Sequence, residues 1–176
     1  MNSQFFGNLR ADNLEGKWWR LVNGLGFYSA KFDKTFYAPP RFVTDFASVP
    51  RLPLAYWLAG GTGKWEAVIH DMGYRYDFGK RMLDSVFYES GMVRADTRTD
   101  KKWTAFRKIR LGLMTGMVQV FGGFAYDPVP GCLDYRQKKT CGRECIACDL
   151  YYLLWQTCCV DGYVPDIAQI HEEYTF

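Results

Sequence analysis

The pattern of apolar residues changes once along the chain, from strand-like to helical, and this change limits the fold more than any other feature. Residues 17–46 contain short runs of aromatic and β-branched side chains separated by Gly and Asp, which is the pattern of antiparallel hairpins. The runs cover residues 18–22, 27–32 and 35–38, and Asn23-Gly24-Leu25-Gly26 provides a turn between the first two. We therefore expect a small antiparallel β meander in this part.

Three later segments have apolar residues at helical spacing. The first covers residues 64–76, and its apolar face consists of Trp65, Val68, Ile69 and Met72. The second covers residues 81–90, with an inward face of Met82, Val86 and Phe87. The third covers residues 101–121, and we expect its inward face to contain Trp103, Phe106, Ile109, Leu113, Met117 and Val120. A β meander followed by three helices is an α+β fold.

The chain divides at residues 127–131, where two prolines and a glycine form a stretch typical of a domain boundary. We expect an α+β domain in residues 1–126 and a cysteine-rich tail in residues 127–176, with one short helix at residues 149–156. The first part contains 18 Lys and Arg against 11 Asp and Glu, and the tail contains 4 against 8. The first part is therefore basic and the tail acidic, but no run of Lys and Arg is long enough to predict a specific nucleic-acid surface.

The sequence predicts neither an export signal nor a transmembrane segment. The first residues lack the basic start and the apolar stretch of a signal peptide, so we expect no Sec export. The most apolar stretch, residues 109–124, is interrupted by Arg110 and Gln119 and is shorter than the roughly 20 residues that cross a bilayer. We expect this stretch to form a buried helix.

All six cysteines lie in residues 132–159, and three of them form the run Cys141-Gly-Arg-Glu-Cys145-Ile-Ala-Cys148. At this spacing three thiolates can converge on one centre, and thiolates bind zinc or iron–sulfur clusters. We expect Cys132, Cys141, Cys145 and Cys148 to form a structural site in which all four metal ligands come from the protein and which holds the tail in a fixed shape. The spacing does not decide between zinc and an iron–sulfur cluster.

Two alternatives to this set stay open. Cys158 or Cys159 would replace Cys132 as the fourth ligand if the chain reverses after residue 156. Six cysteines are also an even number, so three disulfides would need no metal. The three-cysteine run is too tight for comfortable pairing among its own members, which favours the metal or cluster.

His70 is the best candidate for a general base. On the predicted helix, Glu66, His70 and Tyr74 are four residues apart and share one face. A carboxylate from Glu66, or from Asp45 in the preceding loop, would fix the tautomer of the imidazole and stabilise the imidazolium. This arrangement permits catalysis without requiring it.

The same helix also fits a structural role. Asp71 and Arg75 have the spacing of an ordinary helix ion pair, beside a partly buried His70 that satisfies a loop backbone. If the protein is an enzyme instead, its catalytic set would be His70, Asp71, Asp45 and Tyr74.

Two segments resemble a known family: Phe42-Val-Thr-Asp-Phe-Ala-Ser-Val-Pro-Arg51 and Ala67-Val-Ile-His-Asp-Met-Gly-Tyr-Arg75. They are similar to the two signatures of domain-of-unknown-function family 1353, a small domain of tailed phages and prophages. Leu83-Asp84-Ser85-Val86-Phe87 and Met117-Val-Gln-Val-Phe-Gly122 also look like that family's helices, so the resemblance covers roughly residues 17–124. It implies a phage-encoded protein, usually near tail or lysis functions, with no established biochemical activity.

The family's characteristic polar positions correspond here to Asp45, Ser48, His70, Asp71 and Tyr74. They form either a buried network that ties residues 39–53 to the first helix, or an active site. We therefore expect a structural or assembly protein of the virion, in the tail tip or baseplate, which assembles in the host cytoplasm with other phage structural proteins. The alternative is a small hydrolase using His70 that acts on the host envelope, peptidoglycan or lipid, during entry or lysis.

Overall fold

The computed structural model of the chain describes residues 1–46, 63–96 and 101–124, and it has the α+β arrangement that the sequence predicts. The strands are β1 (Gln4–Phe6), β2 (Ala11–Asn13), β3 (Trp19–Leu21), β4 (Leu25–Ser29), β5 (Lys34–Ala38) and β6 (Val43–Thr44). The helices in these ranges are α1 (Lys64–Arg75), α2 (Lys80–Asp96) and α3 (Lys101–Phe121), and α3 ends in a short 3-10 turn, Gly122–Phe124. The proposed tail and its boundary lie outside the described residues.

The strands form two small antiparallel sheets. In one sheet β4 lies between β1 and β5, and in the other β3 lies between β2 and β6. The hairpin of β4 and β5 places Phe27 opposite Phe36, and both rings are fully buried. The sequence predicted the regions of β3, β4 and β5 but missed β1, β2 and β6, which have two or three residues each. Strand β3 is equally short, but it lies within the longer apolar run of residues 18–22.

Helices α1 and α2 pack against the sheet of β1, β4 and β5. Ile69 and Met72 of α1 and Leu83 of α2 join Phe27 and Phe36 in one fully buried apolar cluster. Burying a side chain of this size contributes about 1.5–3 kcal/mol relative to leaving it in water. This cluster fixes the two helices that carry the polar residues described below.

Helices α1 and α2 approach each other closely at Gly73. A Cβ atom at this position would lie 2.0 Å from Cδ2 of Leu83, far inside van der Waals contact. Leu83 is itself fully buried in a densely packed core and has little room to move. The contact between these two helices therefore depends on the missing side chain of Gly73.

Helix α3 has the predicted bounds, and Met117 packs partly buried against the core as predicted, but four of the other predicted inward residues do not. Its buried apolar residues, which pack on Phe87 of α2, are Leu111, Met114 and Val118. Four residues that we expected inside are between 52% and 69% exposed: Phe106, Ile109, Leu113 and Val120. A helix turns about 100° per residue, so the two sets form stripes on opposite sides of α3.

We call these four exposed residues the outer stripe of α3. Because α3 is apolar on both sides, periodicity alone cannot tell which side faces the core. The expectation of a buried helix at residues 109–124 is accordingly correct for one side of α3 only. Among the described residues, no helix combines the length and the hydrophobicity that crossing a bilayer requires.

Candidate functional site

The carboxylate of Asp84, in α2, is the centre of a buried polar network. Its Oδ1 accepts a hydrogen bond from the hydroxyl of Tyr74 at 2.9 Å and lies 3.1 Å from Nε2 of His70. Its Oδ2 accepts a hydrogen bond from Nζ of Lys80 at 2.6 Å. His70 and Tyr74 are on α1, one turn apart, so a single carboxylate joins α1 to α2.

Lys80 extends this network to α3. Its ammonium group also donates to the backbone oxygens of Val118 and Gln119, at 3.3 Å and 3.0 Å. These carbonyls belong to the last turn of α3, where the helix dipole favours a positive charge. The network therefore connects all three described helices.

The imidazole and the carboxylate at the centre of the network are closed to solvent, whereas the side chain of Lys80 is partly exposed. His70 is 2% exposed and Asp84 is 3% exposed. The rings of Tyr74 and Phe87 pack against the imidazole, with centroids 4.0 Å and 5.5 Å from its own. Burial lowers the pKa of His70, and the hydrogen bond and charge of Asp84 oppose this shift only in part. The imidazole is therefore neutral at pH 7.

Asp84 is ionised for a different reason. Burial by itself raises the pKa of Asp84, but the hydrogen bonds from His70, Lys80 and Tyr74 outweigh burial and hold the pKa below its usual range. An ionised Asp84 can only accept, so neutral His70 carries its proton on Nε2 and donates a hydrogen bond to Asp84. The lone pair of Nδ1 is then the basic position of the ring, and it has no hydrogen-bond partner within the described ranges.

The partner of His70 differs from the one that the sequence indicated. We expected Glu66 or Asp45 to hold the imidazole, and this expectation is wrong because Asp84 holds it. Asp45 instead forms an ion pair with Lys17 at 3.3 Å.

Sequence reasoning missed Asp84 because it lies on another helix, 14 residues after His70. One signal was present in the sequence: Asp84 lies directly between inward-facing apolar residues, Leu83 on one side and Val86 with Phe87 on the other. An acidic side chain on the buried face of a helix needs a partner in the core.

Strand β6 is tied to α1 by a second set of polar contacts. The hydroxyl of Thr44 donates to Oδ2 of Asp71 at 2.5 Å and accepts from the backbone N–H of Phe46 at 3.0 Å. Arg75 donates to the backbone oxygen of Val43 at 3.0 Å. Asp71 thus takes part in a contact that joins residues 43–46 to the first helix, as the network interpretation of these positions predicts.

The other predicted site residues lie outside the described residues: Ser48, Cys132, Cys141, Cys145 and Cys148. Zinc or an iron–sulfur cluster at the cysteines therefore stays a prediction. In residues 1–46, 63–96 and 101–124, no group of His, Cys, Asp and Glu side chains is arranged to hold a metal ion.

These observations define a small α+β domain whose helices are joined by a buried histidine–carboxylate network. The family model with the description "Protein of unknown function (DUF1353)" matches residues 19–109, slightly more than half of the chain. The chain belongs to this family, in agreement with the resemblance of its two sequence segments. The matched range contains His70, Tyr74, Lys80 and Asp84. Comparisons with curated proteins and with solved structures found no match to the chain.

Proposed function

We propose that the protein is a structural or assembly component of a tailed-phage particle, in the tail tip or baseplate, and that the outer stripe of α3 binds another protein of the particle. The outer stripe carries this proposal, because each of its four large apolar side chains is more than half exposed. Apolar residues that lie together on a protein surface typically mark an interaction site. The phage origin rests on the family resemblance.

The charge of α3 favours a partner of a particular chemistry. The helix contains five basic residues and no acidic one; the basic residues are Lys101, Lys102, Arg107, Lys108 and Arg110. Lys108 forms an exposed ion pair with Asp96 at 2.7 Å. A partner surface that combines apolar side chains with acidic ones complements this helix in both respects.

The buried network supports a binding role. It fixes α3 to α1 and α2 through Lys80, so the outer stripe lies on a rigid element, which reduces the entropy lost when a partner binds. In this proposal Cys132, Cys141, Cys145 and Cys148 hold zinc or an iron–sulfur cluster that gives the tail a fixed shape.

The experiment that tests the proposal places a charge in the outer stripe. Ile109→Asp in the full-length protein should abolish its incorporation into particles, measured by mass spectrometry of virions purified from a phage that carries the variant. Because Ile109 is 67% exposed, the melting temperature of the isolated protein should not change. Asn8→Asp is the matched control, since it places the same charge on an exposed position outside the stripe.

Two outcomes would contradict the proposal. Normal incorporation of Ile109→Asp would show that the stripe makes no contact in the particle. A lower melting temperature of the isolated variant would show that the protein's own chain, such as residues 127–176, covers the stripe.

A hydrolase acting on the host envelope is the second candidate, and the pairing of His70 with Asp84 favours it. A carboxylate that orients an imidazole is the usual arrangement around a general base. Against it, a substrate in solution does not reach a histidine with 2% of its surface exposed. Purified wild-type protein and His70→Ala, assayed on peptidoglycan and on phospholipid, separate the candidates: hydrolysis that the substitution removes, with particles still assembled, supports the hydrolase.

A further inference from the structure

A cleft of about 460 Å³ lies where α1 begins, α2 ends and α3 passes. This volume is in the range of sites for small molecules. The cleft reaches Gly63, the residue before α1, whose φ of 97° is left-handed and which provides no side-chain cap for the helix. The sequence did not indicate this cleft, because its walls come from three separate segments.

The charged lining of the cleft is predominantly positive. Lys64, Arg94, Arg107 and Arg110 line it, and among its described lining residues Glu66 is the one carboxylate. Several cations around a concave surface raise the local potential and attract anions. Arginine in particular pairs with a carboxylate or phosphate through two parallel hydrogen bonds.

Glu66 has an oxygen without a partner inside this basic cleft. The residue is 4% exposed, and its Oε2 has no hydrogen-bond partner in the part of the chain that the structure describes. Its Oε1 is 3.9 Å from Nε of Arg94, longer than a normal hydrogen bond. Leaving a buried carboxylate oxygen unpaired costs free energy, so this position favours a hydrogen-bond donor from a ligand.

The remaining walls fit an organic body better than an isolated ion. Trp65 lines the cleft, and its ring contacts the guanidinium of Arg94, 4.7 Å from the ring centroid, and the edge-on ring of Phe5, at 5.3 Å. Leu111 and Met114 provide apolar surface from α3. A metal cation would meet four positive side chains around a single carboxylate, which excludes it on electrostatic grounds.

We propose that this cleft binds a small organic anion, whose carboxylate or phosphate pairs with the arginines and whose hydroxyl or amino group donates a hydrogen bond to Oε2 of Glu66. This site is separate from the outer stripe, which lies on the other side of α3, and it does not depend on the proposed role in the particle. A test with one organic carboxylate and one organic phosphate shows which of the two anionic groups the cleft prefers.

The test is isothermal titration calorimetry of the full-length protein with four probes: glucuronate, glucose 6-phosphate, inorganic phosphate and glucose. The two organic anions should bind, inorganic phosphate should bind at least about tenfold more weakly because it lacks the organic body, and glucose should not bind at concentrations up to about 10 mM. The organic anion that binds with the higher affinity shows whether the cleft prefers a carboxylate or a phosphate.

Substitutions assign the binding to the cleft. Arg107→Gln should lower the affinity for both organic anions at least about tenfold, because one charge-assisted contact is lost. Glu66→Gln removes a negative charge and replaces one of the two acceptor oxygens with an NH2 donor. It should therefore strengthen the binding of inorganic phosphate but weaken the binding of the organic anions, whose hydroxyl or amino group would meet a donor in place of an acceptor. Arg20→Gln, an exposed arginine outside the cleft, is the matched control and should change nothing.

The melting temperature of each variant shows whether it folds. If Arg107→Gln does not fold, Lys64→Gln, at an exposed position of the cleft, is used in its place. The proposal is overturned if neither organic anion binds the wild-type protein, if glucose binds as well as they do, or if Arg20→Gln weakens binding as much as the substitution in the cleft.

Discussion

Two buried carboxylates lie on neighbouring helices of this domain, and their pKa values shift in opposite directions. Asp84 is 3% exposed and Glu66 is 4% exposed, so both have lost nearly all contact with water. Hydrogen bonds nevertheless hold the pKa of Asp84 below its usual range, whereas burial raises the pKa of Glu66 despite its own backbone amide and the nearby Arg94 and Arg107. Two carboxylates with nearly the same solvent exposure therefore have pKa values that shift in opposite directions.

The difference lies in the number and the distance of the donors. Asp84 has three side-chain donors within 3.1 Å, and they come from two helices. Glu66 has an arginine at 3.9 Å and one oxygen without a partner among the described residues. A carboxylate whose oxygens are all paired holds the fold together, and one with an unpaired oxygen has capacity left for a ligand.

Asp84→Asn should have the largest effect on stability. The amide cannot balance the charge of Lys80, whose side chain is 24% exposed, and it offers one acceptor oxygen in place of two. We expect the free energy of unfolding, measured by urea denaturation at pH 7, to fall by about 3 kcal/mol, the range for breaking a buried ion pair.

Asp12→Asn is the control for this substitution. Asp12 lies in β2, and its side chain is exposed. Its effect should stay within about 0.5 kcal/mol. If Asp84→Asn were equally mild, the network would not stabilise the fold and the contrast between the two carboxylates would disappear.

The second prediction concerns pH and follows from the lowered pKa of His70. The groups that face its imidazole are Asp84 and Lys80 from α2 and Tyr74 from its own helix. Below the unfolded pKa of about 6.5 the unfolded chain binds a proton that the folded chain does not, so stability falls as the pH falls. The free energy of unfolding should decrease from pH 7 towards pH 5 by up to about 1.4 kcal/mol per pH unit, the limit for one proton.

Urea denaturation at several pH values checks this slope, and the chain provides a matched control. His70 and His171 are the two histidines of the sequence. His70→Gln should flatten the slope between pH 5 and pH 7, and His171→Gln should leave it unchanged. A slope that persists in His70→Gln would mean that another group causes it.

Glu66→Gln should have the smallest effect, and its sign is opposite to that of Asp84→Asn. Because the folded pKa of Glu66 is raised, the contribution of Glu66 to stability is fully present below its unfolded pKa and is lost as the pH rises through the folded pKa. Glutamine carries no charge to bury, so at pH 7 the variant should be more stable than the wild type by up to about 1 kcal/mol.

This gain should shrink as the pH falls towards about 4, where Glu66 becomes protonated in both states. Paired melting curves of the two proteins at pH 4 and pH 7 measure the difference directly. A loss of stability at pH 7 would mean that Glu66 is fully paired, and the contrast with Asp84 would not hold.

The sequence predicted the positions of the helices and strands better than it predicted which side of each helix faces the core. The bounds of α1 and α3 and the strands around Phe27 and Phe36 follow from periodicity, because each has one clear apolar pattern. Helix α3 has two such patterns, and choosing between Ile109 and Leu111 as inward residues requires knowledge of which side meets α2. That information lies in another part of the chain.

The candidate site was predictable only in part for the same reason. His70 and Tyr74 were identified because both lie on one helix, four residues apart. Their carboxylate partner comes from α2, and the charged lining of the cleft comes from all three helices. Contacts within an element follow from sequence spacing, whereas contacts between elements depend on how the core packs.

The close approach of α1 and α2 at Gly73 has a consequence for the chemistry of His70. Gly73 and Leu83 are each within one turn of a member of the pair, His70 on one helix and Asp84 on the other. Because Gly73 has no side chain, the two helices can approach this closely. Any larger residue would push them apart and lengthen the distance of 3.1 Å between the imidazole and the carboxylate. Gly73 therefore keeps α1 and α2 close enough for His70 to stay buried and paired with Asp84.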